Sequence, residues 1–142
     1  MFCFLRVCVV CWNINAVMYL YQELTGKIVN ACYKVHNELG CGFLEKVYQE
    51  AVAIVLQEEG IPFEREKHLQ IKFHGNTLGC DYIADFVVEG KVILELKAVQ
   101  EMLPVFQSQV INYLKVTGMQ VGLLINFGQS SLQVKRLAAN IY

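Results

Sequence analysis

The stretch Tyr82-Ile83-Ala84-Asp85-Phe86-Val87-Val88-Glu89-Gly90-Lys91-Val92-Ile93-Leu94-Glu95-Leu96-Lys97 decides how the chain is read. Cys80, Tyr82, Ala84, Phe86 and Val88 alternate as one strand, Gly90 marks a turn, and Val92 to Val99 forms a second strand that is apolar on one face. Glu95 and Lys97 project from its other face. If Glu89-Gly90-Lys91 is a three-residue hairpin loop, Val88 pairs with Val92, Val87 with Ile93 and Phe86 with Leu94. Asp85 then stands opposite Glu95. A two-residue loop would put Asp85 opposite Leu94 instead and dissolve the pairing of acids.

Upstream of this hairpin, Leu69, Ile71 and Phe73 alternate with polar neighbours before a Gly75-Asn76 turn, which makes a three-strand meander. Before that, Leu24, Ile28, Ala31, Val35 and Leu39 recur at helical spacing and stop at Gly40. Gly42 opens a second helix carrying Leu44, Val47, Tyr48, Ala51, Val55 and Leu56, broken by Gly60-Ile61-Pro62. Downstream, a helix is expected from Pro104 to Lys115, closed by Thr117-Gly118, and Val121 to Ile125 reads as a buried strand. Leu132 to Leu137 fits a strand or a helix. The order implies an α+β (α/β) domain with a mixed sheet.

Composition bounds the classes. A chain of 142 residues with 55% hydrophobic and 18% charged side chains is long enough for one domain with its own core. With 12 Lys+Arg against 13 Asp+Glu and no like-charge run longer than Glu58-Glu59, a polybasic tail and an acidic mimic are excluded. Two prolines and ten glycines without low-complexity tracts exclude a collagen-like or disordered chain. Residues 1–23 read as a hydrophobic extension outside the domain at 24–142. From Met1 to Met18 the only charge is Arg6, yet Asn13 and Asn15 interrupt the apolar run too early for a membrane span, and no signal-peptide pattern is present. A start of translation at Met18 would remove most of it. Cys8 and Cys11 have C-x-x-C spacing but no second pair, so the six cysteines read as small buried thiols of a reducing, cytoplasmic protein.

The opposed acids demand an explanation, because like charges at facing strand positions are destabilising and two partly buried carboxylates do not both ionise cheaply. A divalent cation removes the conflict. Oxygen ligands without imidazole suit Mg²⁺ or Mn²⁺, and Lys97 could orient a water, so the set points to metal-assisted phosphodiester hydrolysis. From spacing alone, a half-exposed Glu95/Lys97 ion pair with Asp85 as a surface acid remains an equal reading. Glu45 and Tyr48, three apart in the second helix, share a face, as do Gln109 and Tyr113, four apart in the third. Of the histidines, His36, on the first helix beside the Gly-rich turn, could approach the site but reads first as a capping or surface residue, and His68 and His74 read as surface residues.

Gly42-x-x-Glu45-x-x-Tyr48, Asp85, Glu95-Leu96-Lys97, Gln109-x-x-x-Tyr113, Asn126-Phe127-Gly128 and Lys135-Arg136 occur in an order that resembles the GxxExxY protein family of the PD-(D/E)xK nuclease superfamily. The resemblance covers Leu24 to Tyr142. It implies a restriction-endonuclease-like core, a mixed sheet flanked by helices, and a Mg²⁺- or Mn²⁺-dependent nuclease acting on DNA. It implies Asp85, Glu95 and the backbone carbonyl of Leu96 as metal ligands, Glu45 as a further ligand, and Lys97 as the residue that positions the attacking water. It also implies that Gln109, Tyr113 and Tyr48 contact the substrate or brace the site. Two departures stand out: Cys41 where the family often has Pro, and Phe106 where it often has His. The second keeps open a catalytically silent module that binds nucleic acid or a protein partner. The oligomeric state stays open, a homodimer included.

Overall fold

The computed structural model describes residues 19–139, so most of the extension expected over 1–23, with the Met18 start and the Cys8/Cys11 pair, lies outside the described residues. Helices α1 (Gln22–Leu39) and α2 (Glu45–Glu58) are followed by strands β1 (Phe63–Phe73), β2 (Asn76–Val88) and β3 (Val92–Lys97). Helix α3 (Pro104–Thr117) then crosses to β4 (Val121–Asn126), and β5 (Gln133–Ala138) ends the sheet. The undecided last element is thus a strand. Strand order is β1-β2-β3-β4-β5, with β3 and β4 parallel and every other pair antiparallel. This is the expected α+β mixed sheet, with α3 supplying the crossover that a parallel pair requires.

The turn between α1 and α2 is possible because Gly40 and Gly42 take φ of 70° and 108°. Tyr48 holds it closed. Its hydroxyl donates to the Gly40 carbonyl at 2.7 Å and accepts from the Phe43 N–H at 3.3 Å, and its ring stacks on Phe127 at 4.6 Å.

Each face of the sheet has its own core. Toward α1 and α2, Phe86, Val88, Val92, Leu94, Leu96, Leu123 and Ile125 pack with Ile28, Val35, Val52 and Leu56. Toward α3 lies a smaller set, Leu69, Ala84, Val87, Ile93, Tyr113 and Leu114. Helix α3 sits close because β4 carries Gly122, where an added Cβ would meet the Val110 side chain at 2.6 Å. Among the described residues no helix is long and apolar enough to cross a membrane.

Two readings of single residues change. His36 is buried rather than capping or superficial, with Nε2 2.9 Å from the Gln129 carbonyl and its ring beside Phe127, because α1 packs its inner face on the loop after β4. Of the cysteines, Cys32 is buried as expected, but Cys41 and Cys80 are exposed, one in the Gly-rich turn and one in the outer half of β2, which pairs with β1 alone.

Candidate active site

The expected three-residue loop is present: Val88 pairs with Val92, Val87 with Ile93 and Phe86 with Leu94. The ladder then stops. Where Asp85 and Glu95 would form the next rung, side chains take over from backbone: Asp85 N–H donates to Glu95 Oε1 at 2.8 Å, and Leu96 N–H donates to Asp85 Oδ2 at 2.8 Å. The two strands are therefore held together by the acids at the point where they diverge.

A break in alternation brings Asp85 there. Phe86 belongs to the α1/α2 core, whereas Ala84 and Tyr82, on the same nominal face, pack toward α3. On β1 the flanking pairs are Arg65↔Phe86 and Lys67↔Ala84, and between them Glu66 takes a left-handed φ of 47°. A non-glycine residue in that region costs on the order of 1–3 kcal/mol. Both strands thus skip a beat, and Asp85 is released from the ladder.

The pair is buried unequally. Glu95 is 3% exposed, and burial together with the Asp85 charge pushes its carboxyl up to about 8. Asp85 is half-buried and also raised, chiefly by burial, opposed by the Leu96 N–H, Lys97 and Gln49. Glu45, the first residue of α2, is raised by partial desolvation and by Asp85, and lowered by Lys97. Three carboxylates and one ammonium therefore share one field. The Lys97 ammonium lies 4.8 Å from the centre of the Phe106 ring, a cation–π contact. Phe106, flagged by sequence as a departure, is here a support for Lys97.

On the α3 side, Gln109 Nε2 donates to the Tyr113 hydroxyl at 2.8 Å, and Tyr113, against Tyr82 and near Glu95, has its phenol raised to about 12, first by burial. Tyr48 is fully buried and points to the Gly40 turn, where it braces the segment that leads to Glu45. Sequence reasoning missed Gln49. It is buried, donates from Nε2 to Asp85 Oδ1 at 3.2 Å and accepts from Arg65 through Oε1 at 3.1 Å. Its position four residues after Glu45, on the same helical face, was the available signal.

Asn126 was also missed as an individual residue. Fully buried at the end of β4, it accepts from Val99 N–H and Gly128 N–H at 2.9 and 3.0 Å and donates to the Val99 carbonyl and Gln133 at 2.8 and 2.9 Å. Gly128 must be glycine, since an added Cβ would lie 2.2 Å from the Val99 carbonyl oxygen. These bonds fix the chain just after Lys97.

The donor set is all oxygen and suits a hard divalent cation. Phe127 N–H donates to the Lys97 carbonyl at 2.8 Å, so Lys97 turns its backbone polar groups to the loop after β4, and Leu96 turns its own to the opposite edge, the side of Asp85. Two carboxylates and the Leu96 carbonyl thus face the fork. Among the described residues no three His, Cys, Asp or Glu side chains are gathered closely enough to hold an ion as they stand.

A family model described as the PD-(D/E)XK nuclease superfamily matches residues 22–137. Among solved structures, the chain is similar to an alkaline exonuclease (LHK-Exo) from Laribacter hongkongensis, with a TM-score of 0.50 and 14% identity, covering 67% of this chain and 56% of that one. It is also similar to a protein designated SSO0001, with a TM-score of 0.53 and 17% identity, covering 90% of this chain and 63% of that one. The chain thus spans less than two thirds of either structure, and identities this low speak to fold alone. No curated protein sequence gives a significant match.

Proposed function

The chain belongs to the PD-(D/E)XK nuclease superfamily, and from that premise we propose that it is a metal-dependent nuclease hydrolysing phosphodiester bonds in DNA, within the GxxExxY branch. The observation that carries this reading is the reciprocal bonding of Asp85 and Glu95 at the fork of β2 and β3, with Lys97 alongside. A pair of buried acids with raised affinity for protons is a poor structural device unless a cation compensates it.

Asp85, Glu95 and the Leu96 carbonyl would hold Mg²⁺ or Mn²⁺, with Glu45 as a further ligand, directly or through water. When bound, such an ion neutralises charge at the attacked phosphate and lowers the pKa of a water. The chain's own residues do the rest. Lys97 only donates, so it would hold the attacking water through one of that water's lone pairs and leave the other for phosphorus, and the Phe106 ring keeps the ammonium in place. Gln49 fixes the rotation of the Asp85 carboxylate. Gln109 and Tyr113, tied to each other, contact the substrate strand or brace the α3 wall, and Tyr48 braces the turn before Glu45. The chain works in the cytoplasm.

The test is incubation of the purified protein with single- and double-stranded DNA in Mg²⁺ or Mn²⁺, beside Lys97→Ala and Asp85→Ala. Cleavage by wild type that both substitutions abolish supports the reading. Equal cleavage by all three proteins marks contamination and sinks it. DNA binding without metal-dependent cleavage by wild type would favour a silent nucleic-acid-binding module.

A further inference from the structure

The walls of the site are unlike a duplex-binding surface. Helices α2 and α3 both begin beside the acids, since Glu45 opens α2 and Phe106, two residues after Pro104, holds Lys97. The N-cap positions are Leu44 and Leu103, and neither helix has a side-chain cap. Leucine is among the poorest N-caps, and a Ser or Asp in its place would stabilise each helix. The same residues are exposed: Leu44 78%, Leu103 42%, and beside them Phe43 48% and Val105 61%. Large apolar side chains are thus presented to solvent on both sides of the acids, at positions where polar residues would favour the fold.

Among the described residues, the cations next to these acids already have partners. Lys46 pairs with Glu66 at 3.0 Å, Arg65 pairs with Glu50 at 2.9 Å, and Lys97 lies on the Phe106 ring. Tight duplex binding draws on several phosphate contacts from free Lys and Arg, whereas unpaired bases can stack on aromatic faces with little help from charge. We infer that the apolar rim formed by Phe43, Leu44, Leu103 and Val105 receives unpaired bases, so that the substrate is a single strand or a frayed end rather than an intact duplex. This rests on the nuclease reading and adds the form of nucleic acid that the site accepts.

The experiment compares binding of a fluorescein-labelled oligonucleotide, single-stranded or annealed to its complement, by anisotropy in Ca²⁺ at several salt concentrations. Wild type, Phe43→Ala and Phe43→Tyr are each checked for folding by thermal melting. The single strand should bind at least about tenfold more tightly than the duplex, with a shallow salt dependence. Phe43→Ala should weaken it by about 5- to 150-fold, the range of ~1–3 kcal/mol for one stacked base, and Phe43→Tyr should restore it. Equal affinity for the duplex, or a Phe43→Ala protein that melts normally and binds normally, overturns the inference while Mn²⁺-dependent cleavage leaves the nuclease reading standing. If neither oligonucleotide binds and nothing is cleaved, both readings fall and the rim is a protein contact.

Discussion

The two faces of the sheet use the same strands for opposite ends. On the face toward α1 and α2, β3 contributes Val92, Leu94 and Leu96, all fully buried among aliphatic and aromatic neighbours. On the face toward α3 it contributes Ile93 and then Glu95, whose carboxyl is just as inaccessible but is pushed up to about 8. One face is a core of the ordinary kind, and its burial drives folding. The other starts as a core at Ile93 and gives way, one step along the strand, to a charged site that the fold tolerates at a cost. That division predicts that substitutions on the first face act on stability and those on the second act on chemistry.

The largest effect separates the two outright. Lys97→Ala and Asp85→Ala should each lower DNA cleavage by about 10²–10³-fold or more, the scale for loss of a group that organises charge in the transition state. Melting temperature should change little for Lys97→Ala, since the residue is only half-buried. A collapse of melting temperature there would erase the distinction between the faces. On the opposite face, Leu94→Ala should cost about 2–5 kcal/mol of stability, read by urea denaturation, because the fully buried side chain leaves a cavity the sheet cannot close.

A pH titration of stability sharpens the contrast. An acid whose ordinary value near 4.5 rises to about 8 in the folded protein keeps a proton that the unfolded chain has already released. Between those pH values the folded state binds more protons, so stability falls as pH rises. The metal-free protein should therefore lose stability from about pH 4.5 to about 8, by up to a few kcal/mol. Glu95→Gln, which keeps the oxygen that accepts from Asp85 N–H, should remove most of that loss and be the more stable protein at the alkaline end. A pH profile identical for both proteins would show that Glu95 is not the group responsible.

The sequence was legible where periodicity is strict. The alternation around Gly90 announced both strands but left the loop length open, and the three-residue alternative gives the pairs observed, Val88 with Val92, Val87 with Ile93 and Phe86 with Leu94. It was illegible where strands run along the sheet's edges. β1 starts at Phe63, but from Glu64 to His68 its side chains are polar and largely exposed, so nothing announces a strand before Leu69. β5 is the other edge, and its mixed Gln133-Val134-Lys135-Arg136 run carries no clean period. The beat skipped at Asp85 and Glu66 could not be read either, because a paired irregularity leaves the register unchanged. Of the expected site residues, Asp85 and Glu95 meet directly, Lys97 and Glu45 stand within their field, and Gln109 and Tyr113 bond each other. Tyr48 serves the adjacent turn.

The smallest expected effect concerns a residue that belongs to both faces. Gln49 sits on α2, yet its amide reaches Asp85 Oδ1, and its carbonyl oxygen is held by Arg65, which is held in turn by Glu50. The guanidinium fixes which way the amide points, since an oxygen must face Arg65 and the NH₂ must then face Asp85. Arg65 Nε has no hydrogen-bond partner among the described residues, and the guanidinium also lies over the Phe86 ring at 5.9 Å, so that contact shares in holding the arginine. Gln49→Leu keeps much of the volume and removes both bonds. If Asp85 is a ligand, freeing its carboxylate to rotate should weaken Mn²⁺ binding by about 10–100-fold by calorimetry, the usual scale for a lost partner of a metal ligand. Unchanged Mn²⁺ affinity in a folded Gln49→Leu protein would mean that Asp85 is oriented by the Leu96 N–H alone, and that the site is built entirely from the β2/β3 fork.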